Sequence, residues 1–100
     1  MLNLENVKNR ITKLEENLFE IFYEIPNTLR DELDILIEQD ISYDEDIMVE
    51  DCEDTEENNI IKGSITISLN EDLSYEEKYN IVFSRASQFD MLSNGMSLIE

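Results

Sequence analysis

The middle of this chain is a block of acidic residues that no Lys or Arg interrupts. It spans residues 31–57 and carries most of a formal net charge of -18 on 100 residues. So much like charge on a small chain repels itself and weakens any compact state. A field of this sign attracts cationic partners and repels nucleic acid. The fourteen carboxylates are Asp31, Glu32, Asp34, Glu38, Asp40, Asp44, Glu45, Asp46, Glu50, Asp51, Glu53, Asp54, Glu56 and Glu57.

Length and composition favour a single small acidic domain over residues 1–100. The hydrophobic fraction of 41% argues against wholesale disorder. Cys52 is the single cysteine, so no internal disulfide can form, as expected in a reducing cytoplasm. There is no secretory signal pattern and no apolar run near the ~20 residues of a membrane span. The expected location is cytoplasmic, in a host cell if the chain is phage-encoded.

Apolar residues recur at spacings of three and four through the first quarter of the chain. This a/d pattern predicts one long amphipathic helix over residues 4–25, which Pro26 ends. The helix either packs on its own domain or forms a homodimer seam, and the sequence leaves both open. The seam residues are Leu4, Val7, Ile11, Leu14, Leu18, Ile21 and Ile25.

The remaining elements follow from local patterns. A second helix begins after Pro26 with Asn27 or Thr28 as its cap, and ends near Asp40. The period then changes to two, which predicts strands over residues 41–50 and 61–69.

The acidic stretch between the predicted strands and the end of the chain complete the fold prediction. Residues 50–59 lack apolar periodicity and are predicted to form a long exposed connection. Ser74 with Glu77 predicts the capping box of a final helix, which Asn94-Gly95 ends. The tail 96–100 is expected to return as a short extended segment or to fray. The predicted class is α+β: two N-terminal helices, a β-hairpin with a long acidic loop, and a C-terminal helix.

Residues that most catalytic sites need are missing. The chain has no histidine, which excludes Ser-His-Asp and Cys-His catalysis and His-based zinc sites. Its two glycines, Gly63 and Gly95, cannot form a phosphate-binding loop. Neighbouring carboxylates are expected to raise the pKa of Cys52 and make its thiol a poor nucleophile. We therefore expect no enzyme activity, no catalytic residues and no cofactor.

Calcium is the strongest candidate for a metal, because carboxylates are its preferred ligands. A calcium loop starting at Asp51 would need Gly where Glu56 stands and Glu where Lys62 stands. A frame starting at Asp44 places Met48 at an acidic position. The sequence predicts no dedicated metal site, and weak divalent binding stays open.

The acidic block has the spacing to imitate a polyanion. On a strand, alternate side chains such as Asp44 and Asp46 lie on one face about 6.8 Å apart. On a helix, Asp31, Asp34 and Glu38 would form a second line of charge. A protein with a Lys/Arg-lined groove would meet a substitute for duplex DNA, whose phosphates repeat about every 3.4 Å per strand. The predicted partner-binding residues are Asp31, Asp34, Glu38, Asp44, Glu45, Asp46, Glu50, Asp51, Glu53, Asp54, Glu56 and Glu57.

The predicted function is a non-enzymatic inhibitor that binds a basic, nucleic-acid-binding protein such as a CRISPR effector, nuclease or repressor. In size, charge and lack of catalytic residues the chain resembles the small acidic phage-encoded inhibitors grouped as DNA mimics, which include anti-CRISPR proteins. That resemblance implies a target with a nucleic-acid groove. Alternatives are an acidity that serves solubility alone, an antitoxin-like role, or a structural and assembly role through the N-terminal seam. No direct contact with nucleic acid or membrane is expected.

A second resemblance covers residues 65–92. Ile65, Ile67 and Leu69 precede a helix start at Leu73, Ser74, Glu76, Glu77 and Lys78, and this order is similar to that of ImmA/IrrE-type metallopeptidases. Where that family carries His-Glu-x-x-His, this chain has residues 84–88, Ser-Arg-Ala-Ser-Gln. The resemblance implies a zinc-free remnant that keeps a protein-binding role.

Overall fold

The computed structural model describes residues 4–96, which form three helices and one four-stranded antiparallel sheet. The α+β class and the C-terminal helix are confirmed. A 3₁₀ turn (Asn27–Leu29) precedes the second helix, and a π-helical segment (Leu36–Ile41) follows it. The elements are α1 (Leu4–Asn9), β1 (Ile11–Glu15), β2 (Leu18–Pro26), α2 (Arg30–Ile35), β3 (Ile47–Glu57), β4 (Ile60–Leu69) and α3 (Tyr75–Ser93). Apart from Met96, the predicted tail lies outside the described residues.

The strands lie in the order β1-β2-β4-β3, so β1 and β3 are the edges of the sheet. β2 pairs with β4 along its full length, and Ile21 lies opposite Ile65. On its other side β4 pairs with β3, where Cys52 lies opposite the same Ile65. The apolar strand β4 therefore lies at the centre and holds the acidic strand β3 at the rim.

One face of the sheet is covered by the helices and forms the core. Alternate residues of β2 and β4 point to this face, as the period of two in a strand requires. The ring of Tyr23 stacks on Phe89 of α3, with centroids 5.0 Å apart. α1 contributes Val7 and α2 contributes Leu33 to the same cluster. The other main core residues are Ile21, Ile25, Leu36, Ile41, Ile61, Ile65, Ile67, Val82, Ala86 and Leu92.

The predicted single helix over residues 4–25 is wrong, because this segment forms α1, β1 and β2. Residues 19–25 also alternate with a period of two, and β2 uses that period to bury Ile21, Tyr23 and Ile25. Ile21 and Ile25 satisfy both periods, so apolar spacing alone could not separate helix from strand. The aromatic and β-branched residues of β2 favour the strand, and its pairing with β4 stabilises it.

The predicted dimer seam is not a single surface in this fold. Val7, Ile21 and Ile25 are fully buried in the core. Leu4 and Leu14 are exposed on two different elements. The seven seam positions therefore cannot form the interface of a coiled coil.

The predicted long acidic loop over residues 50–59 is wrong. β3 continues to Glu57, and only Asn58 and Asn59 form the connection to β4. Both asparagines have positive φ, 53° and 66°, as a two-residue hairpin turn requires. This part of β3 is held by backbone hydrogen bonds to β4. Because its side chains show no apolar alternation, the sequence shows no sign of a strand here. The predicted second strand is confirmed as β4.

The predicted start of the first strand at Ile41 is also wrong, because β3 begins at Ile47 and shares only residues 47–50 with the predicted strand. Helical structure instead continues through Ile41, and the Ser42 backbone N–H donates to the Ile37 carbonyl, an i→i+5 bond. The second helix is present near its predicted position, but the predicted cap is wrong. Asn27 and Thr28 lie inside the 3₁₀ turn, and no side chain caps either helical start.

The final helix begins as predicted. The Ser74 hydroxyl accepts the backbone N–H of Glu77, and the Glu77 carboxylate accepts the backbone N–H of Ser74, each at 3.1 Å. Gly95 follows the helix with a φ of 77°, which suits a residue without a side chain.

A buried ion pair connects α3 to the start of the sheet. The Arg10 Nε donates to the Asp90 carboxylate at 3.0 Å, and the Asp90 side chain is 1% exposed. Asn94 donates a further hydrogen bond to the same carboxylate. Removing either partner would leave a buried charge without compensation, so this pair fixes where α3 lies on β2.

The glycine at the centre of β4 allows close packing between strands. A Cβ at Gly63 would lie 2.8 Å from the Tyr23 ring and 2.6 Å from the Asp54 Cβ, and would also meet the Glu53 carbonyl oxygen. The Tyr23 ring thus fills the space that a Gly63 side chain would take. Gly63 is required here by proximity, since its φ is not positive.

We expect Gly63→Ala to lower the free energy of unfolding by about 1–3 kcal/mol, because β3 and the Tyr23 ring must move. Urea denaturation measures this as a fall in the midpoint. Ser64→Ala is the matched control on the adjacent residue, which is half-buried on the other face, and should change stability little. Equal stability of Gly63→Ala and the wild type would contradict the packing described here.

Candidate functional site

The face of the sheet opposite the helices is open and polar. Residues directly opposite each other on antiparallel strands point to the same side. Rows such as Glu20–Thr66–Asp51 and Phe22–Ser64–Glu53 therefore run across β2, β4 and β3 on this side. We call this surface the open face. It includes Thr12 and Glu15 of β1, Leu18, Glu20, Phe22 and Glu24 of β2, Lys62, Ser64, Thr66 and Ser68 of β4, and Met48, Asp51, Glu53, Thr55 and Glu57 of β3.

The open face is strongly negative. Its β2 and β3 rows bring together Glu20, Glu24, Asp51, Glu53 and Glu57. A further carboxylate reaches it from the β-bulge between Val49 and Asp51, where Glu50 accepts a 2.8 Å hydrogen bond from the Ser68 hydroxyl. Among the open-face residues just defined, only Lys62 is cationic. Side chains two apart on one strand lie about 6.8 Å apart, so these carboxylates are regularly spaced.

A depression of about 650 Å³ lies at the end of the open face next to α1. Its lining combines polar and apolar surface and includes side chains of both charges, namely Arg10, Glu24, Glu53 and Lys62, together with Asn9. Phe22 is also exposed there, at 46%. This mixed lining of both charges suits a charged side chain of a protein better than an apolar small molecule.

β3 is an edge strand, and its residues from Glu50 to Glu57 are exposed. Its predicted contact residues do not all point the same way. Asp51, Glu53 and Glu57 are on the open face, whereas Asp54 and Glu56 lie opposite Gly63 and Ile61 and so point to the helix side.

Asp54 is held by an arginine on α2. The Arg30 guanidinium donates two parallel hydrogen bonds to the Asp54 carboxylate, both at 3.1 Å. The Tyr23 hydroxyl donates a third at 3.3 Å. Hydrogen bonds from Arg30 hold the pKa of Asp54 below its usual value, against the opposing effect of burial. This carboxylate is a structural link between α2 and β3.

Asp44, Glu45 and Asp46 lie in the turn before β3, and the predicted pairing of Asp44 and Asp46 on one strand face is wrong. Asp44 accepts the backbone N–H of Asp46 at 2.9 Å and an Arg85 hydrogen bond at 2.9 Å. Burial alone would raise the pKa of Asp44, but these two donors lower it overall. Glu45 is exposed beside them.

The predicted line of charge on the second helix is divided by the change in helix type. Asp31 is exposed in α2, and Asp34 lies 3.6 Å from Arg30. Glu38 lies beyond them in the π-helical segment, where the number of residues per turn is larger. The i, i+3, i+7 alignment therefore does not apply to these residues.

Sequence reasoning missed the contribution of β2 to the open face, namely Glu20, Phe22 and Glu24. They lie in the segment that was predicted to be helical. Their alternation with Ile21, Tyr23 and Ile25 was the available signal, because a period of two separates a polar face from an apolar one.

The thiol of Cys52 is poorly suited to act as a nucleophile. Burial raises the pKa of the Cys52 thiol, and the nearby Asp54 raises it further against a lowering hydrogen bond with Tyr23. A protonated thiol is a weak nucleophile. Within residues 4–96, no group of three Cys, Asp or Glu side chains has the geometry to hold a metal ion.

Comparison with protein-family models, curated proteins and solved structures finds no match to this chain. The resemblances to DNA-mimic inhibitors and to the ImmA/IrrE-type peptidases therefore stay predictions. No helix in the described part of the chain is long and apolar enough to cross a membrane.

The Arg30–Asp54 ion pair should make the free energy of unfolding decrease at low pH. The folded-state pKa of Asp54 is lowered, so its contribution is fully present above the usual Asp value of about 3.9 and is lost as the pH falls through the folded value. We expect the difference in unfolding free energy between the wild type and Arg30→Gln to shrink below about pH 4.

Chemical denaturation from pH 7 to pH 3 measures this difference. Lys8→Gln removes the same charge from an exposed position and is the matched control. Its difference from the wild type should change less over the same range. A difference for Arg30→Gln that stays constant with pH would rule out the link.

Proposed function

We propose that this protein is a non-enzymatic inhibitor that binds a basic, nucleic-acid-binding protein through the open face and the adjoining edge of β3. The observation that carries the proposal is the convergence of carboxylates from β2 and β3 on a sheet face that no helix within residues 4–96 covers. A negative surface of this kind steers cationic partners and increases their association rate.

The ordered geometry supports mimicry of a nucleic acid more than solubility alone. Asp51 and Glu53 lie in one row along β3, about 6.8 Å apart. Glu20 lies two strands away from Asp51, which corresponds to about 9–10 Å across the sheet. A rigid two-dimensional array of anions can match a Lys/Arg-lined groove, whereas a solvated loop would lose entropy on binding.

The charge of the surface also supports a basic protein as the partner rather than a nucleic acid. Direct binding of nucleic acid needs cations to neutralise phosphates, and the surface has the opposite sign. Cytoplasmic location is part of the proposal, because the unpaired thiol of Cys52 suits a reducing compartment. The DNA-mimic inhibitors that the chain resembles would use the same electrostatic principle.

Three carboxylates of the open face test the proposal against three that lie elsewhere. We expect the triple variant of the open face to weaken binding to the partner protein by about a hundred-fold. The triple variant elsewhere should weaken it by less than about three-fold. Both remove three negative charges from exposed positions. The first variant is Asp51→Asn, Glu53→Gln and Glu57→Gln, and the second is Glu71→Gln, Asp72→Asn and Glu76→Gln.

The partner is captured from host cytoplasm at low salt, purified, and titrated with each variant at 50 and 200 mM salt. The affinity should fall by about ten-fold or more over this range, and a short DNA duplex should displace the protein. Equal losses for the two variants would show that net charge alone is responsible. An affinity that neither salt nor duplex DNA reduces would refute the proposal.

A further inference from the structure

The outer edge of β3 presents backbone groups that β4 does not use. Two hydrogen bonds define the alternation: the Asn27 N–H donates to the Asn59 carbonyl, and the Leu69 N–H donates to the Asn17 carbonyl. Odd-numbered residues of β4 therefore direct their backbone groups toward β2, and even-numbered residues direct theirs toward β3.

The β3 residues opposite the odd-numbered residues of β4 must therefore direct their backbone N–H and C=O groups away from the sheet. Cys52 is opposite Ile65, and Asp54 and Glu56 follow at the next two such positions. Consistent with this, the Cys52 N–H donates to the Asp51 side chain at 2.9 Å. The backbone N–H and C=O groups of Asp54 and Glu56 thus lie on the open edge of an exposed strand.

The side chains beside this edge restrict which strand can add to it. On the open face an added strand would lie next to Asp51, Glu53 and Glu57. On the helix side it would lie next to Glu56, because Asp54 is already neutralised by Arg30. Three carboxylates on the open face and Glu56 on the helix side, where Asn27 donates to it at 3.5 Å, favour cations on both sides of the added strand.

Other occupants of the edge fit less well. A second copy of β3 would place carboxylates directly opposite carboxylates, which destabilises cross-strand pairs. β3 contains no proline to block an added strand, and its single bulge lies at the far end, next to Val49. The other edge, β1, has five residues and its own bulge after Lys13, so it offers a shorter ladder.

We propose that β3 accepts an extended Lys/Arg-rich segment of the partner protein as a fifth strand, hydrogen-bonded to the backbone of Asp54 and Glu56. This inference rests on the proposed function, because it assumes the same cationic partner. It adds the mode of recognition: the ladder supplies main-chain hydrogen bonds, and the carboxylates select the basic sequence.

An octapeptide of alternating Arg and Lys is the probe. On binding, hydrogen exchange should slow at the Asp54 and Glu56 amides, which face outward. It should change little at Glu53 and Thr55, whose amides already bond to β4. Contact through side chains alone would not produce this alternation along one strand.

Two matched variants separate backbone from charge. Glu56→Gln and Glu56→Pro both remove one carboxylate, but only the proline removes an outward N–H, at a position where an edge strand tolerates it. We expect the proline variant to bind the octapeptide about ten-fold more weakly than the glutamine variant. A copy of the octapeptide with every backbone nitrogen methylated keeps its charges and should bind the wild type at least about ten-fold more weakly. This second comparison does not depend on the folding of a variant.

The outcomes distinguish this inference from the function on which it rests. Equal binding of the Gln and Pro variants, with fast exchange retained at Asp54 and Glu56, would overturn strand addition. If that binding still weakened with salt, the proposed role of the acidic surface would stand. An octapeptide that shows no salt-sensitive binding to the wild type would overturn both.

Discussion

The pairing of β3 with β4 is the constraint on which the rest of the molecule depends. β4 is the apolar central strand, and its even-numbered backbone groups hold an acidic strand that has little apolar surface of its own. Without these bonds, repulsion between the carboxylates from Glu50 to Glu57 would oppose any ordered structure of this segment. The hydrogen bonds to β4 hold this segment extended, so that each carboxylate points to a defined side of the sheet.

The arginines make the pairing compatible with such a charge. Each of the three lies where a carboxylate comes close to the core: Arg10 with Asp90, Arg30 with Asp54, and Arg85 with Asp44. Each pair also joins elements distant in the sequence, so the few strong cations are used for architecture. Apart from Glu56, which lies on the helix side, the remaining carboxylates of β2 and β3 are left to the open face. Stability and display of charge are thus assigned to different residues.

The sequence allowed the prediction of elements whose signals are local. The capping box at Ser74 and the apolar alternation of β4 both came from a few adjacent residues, and both are confirmed. The prediction of β2 failed because its apolar residues satisfy two periods at once. The prediction of β3 failed for a different reason, because acidic residues are disfavoured in strands and only a distant partner, β4, makes the strand stable. Membership of the open face could not be predicted once β2 had been assigned to a helix.

The placement of the arginines has a consequence for how the protein responds to its ionic surroundings. Dissolved ions screen exposed charges strongly and partly buried pairs weakly. A high salt concentration would therefore reduce the repulsion among the surface carboxylates and leave the arginine ion pairs nearly intact. The folded state would become more stable. The same ions would diminish the long-range field that attracts a cationic partner. Conditions that protect the molecule best are thus those in which it binds least tightly.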